Sequence, residues 1–253
     1  MDIKRQTVLV TGGSRGLGEA VVRAFAREGA NVVINYYQSK ERAENLAEEL
    51  GEQTVALQGD VRSKEAVEKI FKEAVSYFKM PITTIVNNAL VGFSFDPVER
   101  KNAEDISWED FSVQFEGSVQ AALNTAQAGI PDMKAQEFGR IVNIGTNLVQ
   151  NPVVPYHDYT SGKAALLGLT RTMARDLGPY GITVNMASGG LLKETDASKA
   201  TSAEVFQIIQ QNTPLQRVIT PEEMADAVLL FASPLSRAVT GQNLIVDGGL
   251  VMK

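Results

Sequence analysis

Tyr159 and Lys163 stand four residues apart in Tyr-Thr-Ser-Gly-Lys, thirteen residues after Thr146. On a helix that spacing puts both on one face, where an ammonium can stabilise a phenolate and draw the tyrosine from its ordinary pKa of about 10 toward the working range. Tyr159 then reads as a proton donor. Near the amino terminus, Thr11-Gly-Gly-Ser-Arg-Gly-Leu-Gly18 follows an apolar run and opens a helical pattern. Glycines at 12, 16 and 18 let backbone turn tightly and approach a pyrophosphate, which rests against the N–H groups of a helix start. Together the two segments describe acid/base chemistry beside a dinucleotide. Spacing alone proves little, because Tyr36 and Lys40 share it directly after an expected strand.

The elements that must position these groups alternate from end to end. Thr7–Val10 is a buried strand signal, and Leu17, Ala20, Val21, Ala24 and Phe25 recur at helical spacing until Gly29. Strand-like runs follow at Val32–Ile34, Val55–Leu57, Ile82–Val86, Ile141–Ile144, Ile182–Met186 and Leu244–Val246. Helical patterns fall over Val67–Phe78, around Phe115–Ala128, from about Tyr156 to Leu177, and over Pro221–Ala232. Gly178-Pro179 ends the longest of these, glycine being suited to a left-handed cap and proline unable to continue. The rhythm predicts an α/β fold: a single-domain, Rossmann-type, doubly wound parallel sheet of about seven strands with helices on both faces, spanning residues 1–253. Residues 189–212 break it and form a candidate substrate lid, since ligands bind at the carboxyl ends of such strands.

The chain has 253 residues, 44% of them hydrophobic, a net charge of -6 and no lysine or arginine block, which disfavours nucleic-acid binding. Cys 0 excludes disulfides and thiolate catalysis. No His/Asp/Glu cluster has metal spacing, no apolar run approaches membrane-spanning length, and the start of the chain lacks a signal core. A soluble cytoplasmic protein is expected. His157, the only histidine, is read as passive, and Trp108 and Phe111 as the packed start of a helix.

Cofactor choice is written after the second strand, where an acidic residue favours NAD and a basic one tolerates a 2′-phosphate. Here the chain reads Asn35-Tyr-Tyr-Gln-Ser-Lys40, with Arg15 in the glycine loop. Both facts predict NADP. Asp60-Val61 and Asn87-Asn-Ala89 follow the third and fourth strands and reach the same sheet edge.

In order, Thr11-Gly-x-x-x-Gly-x-Gly18, Asp60-Val61, Asn87-Asn-Ala89, Thr146, Tyr159-x-x-x-Lys163, Asn185 and Thr240-Gly-Gln…Val246-Asp-Gly-Gly249 resemble the short-chain dehydrogenase/reductase family along nearly the whole chain. Within it the chain is most similar to NADP-dependent 3-oxoacyl-acyl-carrier-protein reductases. The resemblance implies that Tyr159 protonates the carbonyl oxygen as NADPH delivers hydride. It also implies that Lys163 holds the nicotinamide ribose, Thr146 bonds the substrate oxygen, Gln114 stands at the proton-relay position, and Leu192 meets the carboxamide through its backbone. A homotetramer or homodimer is implied too. Expected cofactor contacts therefore run through Gly12, Ser14, Arg15, Gly16, Leu17, Gly18, Asn35, Tyr36, Ser39, Lys40, Asp60, Val61, Asn87, Ala89, Tyr159, Lys163, Gly190 and Leu192.

The chain departs from the family at Thr146 for serine, Gln114 for asparagine, Leu90 for glycine and Gly189 for proline. Three functions follow. The leading one is NADPH-dependent reduction of a ketone or 3-oxoacyl group on a small-molecule or acyl-thioester substrate. The others are a dinucleotide-binding regulator or partner subunit with little catalysis, and an oxidative sugar or polyol dehydrogenase.

Overall fold

The computed structural model describes every residue except 94, 97, 98, 194, 196, 197, 199, 200 and 253. Its strands are β1 (Thr7–Val10), β2 (Asn31–Tyr36), β3 (Thr54–Gln58), β4 (Thr84–Asn87), β5 (Gly139–Thr146), β6 (Ile182–Gly189) and β7 (Asn243–Val246). They form one seven-stranded sheet in the order β3-β2-β1-β4-β5-β6-β7, with every pairing parallel. Successive strands step outward from β1 to β3, after which the chain returns to the other side of β1. The carboxyl ends of β1 and β4 thus diverge, the point where such sheets open a crevice for ligands.

Period-two alternation supplies both faces of the sheet. Val8, Val10, Val32, Ile34, Val86 and Val142 point into one core with Phe25 and Val228, while Leu9, Val33, Ile85 and Ile141 point into the other with Phe71 and Met133. The first face carries α1 (Gly16–Arg27) and α8 (Pro221–Ala232), and the second α3 (Lys64–Phe78), α5 (Ala121–Ala135) and α6 (His157–Leu177). The remaining helices are α2 (Lys40–Leu50), α4 (Trp108–Phe115) and α7 (Ala203–Asn212).

Three sequence expectations are revised. The single helix expected around Phe115–Ala128 is longer and interrupted: a π-helical stretch, Glu116–Gln120, joins α4 to α5. The end of α6 is not a left-handed Gly178. That residue stays right-handed at φ -53°, leading into a 3-10 turn, and the left-handed glycine is Gly181 at φ 73°. A Cβ on Gly181 would lie 2.3 Å from the Glu137 carbonyl oxygen, so glycine is required by close approach as well as by φ. Finally, the last part of the expected lid is helical, as α7, its start capped by Ser202 accepting from the Val205 N–H. Residues 194, 196, 197, 199 and 200 of that lid lie outside the described residues.

Where β4 and β5 end, a buried polar ladder fastens them to the helices. Thr125 Oγ1 donates to Asn87 Oδ1 at 2.7 Å, Asn87 Nδ2 to Asn143 Oδ1 at 2.8 Å, and Asn143 Nδ2 to Thr170 Oγ1 at 2.8 Å, which donates onward to the Leu166 carbonyl. Buried polar groups left without partners are costly, so the ladder holds as a unit. Asn143→Ala should lower unfolding free energy by about 2–4 kcal/mol, because it strands the Asn87 amide. Urea denaturation measures this, and a loss below about 0.5 kcal/mol would contradict it.

Candidate active site

Four chain segments meet at the carboxyl edge of the sheet. The first is the glycine loop between β1 and α1. Gly12 and Gly16 have φ of 61° and 53°, and the Arg15 side chain does not cap α1, leaving the first helical N–H groups open to an anion. A Cβ on Gly18 would stand 2.1 Å from the Gly12 carbonyl oxygen and 2.7 Å from Asn88 Nδ2. Nothing larger than glycine fits, and the close-packed cradle suits a dinucleotide pyrophosphate. The loop is pinned from both sides: the Gly13 N–H donates to the Asn35 carbonyl, and Thr11 Oγ1 accepts from the N–H groups of Asn88 and Ala89 at 2.9 and 3.0 Å. Asn88 Nδ2 returns to the carbonyls of Thr11 and Gly12. Ser14 is buried, Leu17 partly so, and Arg15 exposed.

The second segment follows β2 and β3. Asn35 is buried, and its amide reaches the Gly59 carbonyl at 3.0 Å, so its side chain ties β2 to the end of β3. Tyr36 is buried while Lys40 is 67% exposed and faces Glu44 at 3.7 Å. The spacing Tyr36/Lys40 therefore makes no pair. Ser39 precedes α2 without a capping bond. The Asp60 carboxylate is gripped by Arg62, with Nη2 at 2.7 Å and the backbone N–H at 3.0 Å, which holds its pKa below the ordinary value. Val61 is buried, its carbonyl accepting from Asn124. At the end of β4 the Asn87 side chain is spent in the buried ladder, whereas Leu90 stands 37% exposed.

The third segment holds the residues expected to carry the chemistry. Thr146 ends β5, Tyr159 and Lys163 lie in the first two turns of α6, and all three are buried. Thr146 Oγ1 accepts from the Leu148 N–H at 3.3 Å and lies near enough to Tyr159 to favour its charged form. Lys163 Nζ donates to the Ile144 carbonyl at 2.8 Å and lies 5.8 Å from the centre of the Tyr159 ring. Helix spacing thus delivers the constellation, but the expected tuning is reversed in the protein alone. Burial pushes Tyr159 up to about 12, against the opposing Thr146 hydrogen bond, and burial pulls Lys163 down to about 8. The ammonium is turned to a β5 carbonyl, so the tyrosine gains no compensating charge. Gln114 is buried in α4 against Gly162, and its amide donates to the Val91 carbonyl at 3.0 Å, anchoring the loop that leaves β4. His157 opens α6 half-buried, and Trp108 opens α4 but is 70% exposed, stacked on Phe111.

The fourth segment follows β6. Gly190 lies against Asn147 and Asp247, and a Cβ there would stand 3.0 Å from Asn147 Nδ2. Asn147 Nδ2 donates to Asp247 Oδ2 at 2.9 Å, and the same carboxylate accepts from the N–H groups of Gly249 and Val251. Leu192 bridges to Ile219. Thr195 and Ser198 bond reciprocally and are buried, and Thr195 is the neighbour that a Cβ on Gly16 would meet. The excursion after β6 therefore rests on the glycine loop. Beneath it is a cavity of about 730 Å³ lined by Lys193, Thr195, Phe206, Gln210 and Arg217 among others. Tyr159 does not line that cavity.

Sequence reasoning missed Asn88, Asn143 and Asn147. For Asn88 and Asn147 the signal was position, one residue beyond the ends of β4 and β5, where a lone asparagine is as easily a turn residue, while Asn143 lies inside β5 and carries no such signal. Among the described residues, no group of three or more His, Asp or Glu is placed to hold a metal, and no helix is long and apolar enough to cross a membrane.

Residues 12–251 match a family model described as enoyl-(acyl carrier protein) reductase. The chain is 34% identical over 252 residues to the 3-oxoacyl-[acyl-carrier-protein] reductase FabG of Staphylococcus aureus strain Mu50, covering 98% of each. It is 31% identical over 252 residues to the FabG of Vibrio cholerae, covering 100% of each. A crystal structure from Agrobacterium tumefaciens, described as "a putative gluconate dehydrogenase", superposes with a TM-score of 0.89 at 28% identity, covering 99% of this chain and 98% of that one. With the seven-stranded parallel sheet, the glycine cradle and Tyr159 beside Lys163, these likenesses identify the chain as an oxidoreductase of the short-chain dehydrogenase/reductase family, which uses a nicotinamide dinucleotide.

Proposed function

We propose that the protein reduces a carbonyl, a 3-oxoacyl group or related ketone, to the alcohol with NADPH, and that Tyr159 is the general acid. The observation that carries this reading is that Tyr159, Thr146 and Lys163 are all buried together, with the Thr146 hydroxyl near enough to act on the phenol, on the sheet edge that also bears the glycine cradle. Reduction adds hydride to carbon and a proton to oxygen. Bound NADPH would supply the hydride. The Tyr159 hydroxyl gives the proton, and Thr146 Oγ1 holds the carbonyl oxygen within reach of it. A carbonyl oxygen placed between the two hydroxyls accepts from both, so each finds a partner. Lys163, buried and cationic below about pH 8, becomes the group that offsets negative charge on Tyr159 once it turns from Ile144 toward the cofactor ribose.

Arg15 in the loop and Lys40 at the start of α2 support NADPH over NADH, since both are exposed cations near the end of β2. Gln114 acts through the Val91 carbonyl as a positioning residue. The segment 189–212 serves as the substrate lid, supported by Thr195 resting on Gly16. The assembly is taken as a cytoplasmic homotetramer or homodimer on the family resemblance. An oxidative sugar or polyol reaction is the second reading, favoured by the Agrobacterium neighbour.

NADPH consumption with acetoacetyl thioesters and ketones should fall at least about a hundredfold in Tyr159→Phe while NADPH still binds. Turnover surviving that change would remove Tyr159 from the role. Wild type should prefer NADPH over NADH by about tenfold or more in kcat/KM, and Arg15→Ala with Lys40→Glu should erase the preference. Faster turnover of a polyol with NAD than of any ketone with NADPH would favour the second reading.

Lys163 also leaves a signature in stability. Its folded value of about 8 lies below the ordinary 10.5, so between those pH values the unfolded chain holds the extra proton and stability rises with pH. The Tm difference, wild type minus Lys163→Met, should therefore increase from pH 7.5 to pH 10. A flat difference would show that burial does not lower the proton affinity of the lysine.

A further inference from the structure

The loop that leaves β4 fills the face of the proposed acid with a ring of its own. Phe93 stacks on Tyr159 with ring centres 4.6 Å apart and planes 21° from parallel. Two further rings meet it edge-on: Tyr156 at 5.2 Å and 87°, and Phe95 at 4.9 Å and 80°. Tyr156 and Tyr159 are both buried, Tyr156 just before α6 and Tyr159 in its first turn, so those walls belong to the rigid part of the fold. Phe93 is held on the loop whose Val91 carbonyl is tied to Gln114. One stacked wall and two edge-on walls form the arrangement aromatic rings prefer. The result is a seat shaped for one flat six-membered ring, immediately beside the hydroxyl that gives the proton.

We propose that Phe93 is a specificity-determining residue whose ring occupies the substrate's seat, and that the preferred substrate is a ketone with a flat conjugated ring attached next to its carbonyl. This rests on the carbonyl-reductase reading and deepens it. With Phe93 over its face and Phe95 against it edge-on at 5.1 Å, Tyr159 is buried, so Phe93 has to give way before a carbonyl reaches it. That requirement lowers the apparent affinity of all of them by the fraction of molecules with the seat open. A substrate ring restores the stacked contact with Tyr159 and the edge contact with Tyr156 that Phe93 gives up. An alkyl chain restores area but not the ring geometry. Ring substrates therefore regain about two- to tenfold relative to alkyl ones.

Ethyl 3-oxo-3-phenylpropanoate and ethyl 3-oxohexanoate test this, since both are 3-oxo esters and differ in carrying phenyl or propyl on the reacting carbon. NADPH consumption is measured for wild type, Phe93→Ala, Tyr156→Leu and Tyr156→Phe. Comparing the phenyl-to-propyl ratio between variants cancels the intrinsic reactivity of the two esters. Phe93→Ala should lower KM for both esters several-fold. Tyr156→Leu should cut the phenyl-to-propyl ratio in kcat/KM by about two- to tenfold, and Tyr156→Phe should keep it. Unchanged KM in Phe93→Ala, or an unchanged ratio in Tyr156→Leu, overturns the proposal.

If neither ester turns over, binding decides the seat, and the carbonyl-reductase reading fails separately only when the acetoacetyl thioesters and other ketones are not reduced either. Saturation-transfer NMR with NADP present should then show the phenyl ester's ring protons in contact with wild type, more strongly in Phe93→Ala, and with loss in Tyr156→Leu. Equal signals in all variants would again overturn it.

Discussion

The hydrogen bond from the Lys163 ammonium to the Ile144 carbonyl is the constraint on which the site turns. A buried cation needs a strong acceptor, and among the described residues no carboxylate pairs with Lys163, so a strand carbonyl serves. The bond locks α6 against β5 in the one register that brings Tyr159 beside Thr146. It also explains why the tyrosine is not activated in the protein alone. The cation within reach of the phenol is oriented away from it, and desolvation dominates both groups. Under the proposed function, activation depends on reorienting an ammonium already in place.

Around that contact the sheet edge is assembled by short polar reaches between strand ends. Thr11 and Asn88 join the glycine loop to β4, and the ladder from Thr125 to Thr170 joins β4 and β5 to α5 and α6. Asn147 and Asp247 join the end of β5 to the segment after β7. On the far side of the edge, Asn185 accepts from the Gln242 N–H and donates to the Val239 carbonyl, holding β6 to the approach of β7. A parallel sheet ends its strands at one level, and these bonds turn that level into a rigid floor. Rigidity there matters because a misplaced donor loses most of its effect on the transition state.

The sheet, its helices and the Thr146–Tyr159–Lys163 grouping were legible in the sequence because each rests on a period or a fixed offset. Val8, Leu9 and Val10 alternate faces as their pattern requires, and residues four apart on α6 share one face. What was not legible depends on contacts between distant segments. The side-chain amides of Asn35 and Asn87 find partners on neighbouring strands or helices, which no local pattern reveals. Gly181, not Gly178, takes the left-handed turn because the Glu137 carbonyl stands where a Cβ would go. The direction of the Tyr159 shift likewise depends on where Lys163 points, and spacing fixes the face of the helix without fixing the rotamer.

The most direct test is an NMR titration of tyrosine labelled with 13C at Cζ, with the Tyr159 signal assigned from Tyr159→Phe. In the protein without cofactor, Tyr159 should titrate well above the ordinary value, at about 12. Addition of saturating NADP should bring the midpoint down as Lys163 reorients. A cofactor-free midpoint at or below about 10 would contradict the account, because the ammonium would already be acting on the phenol.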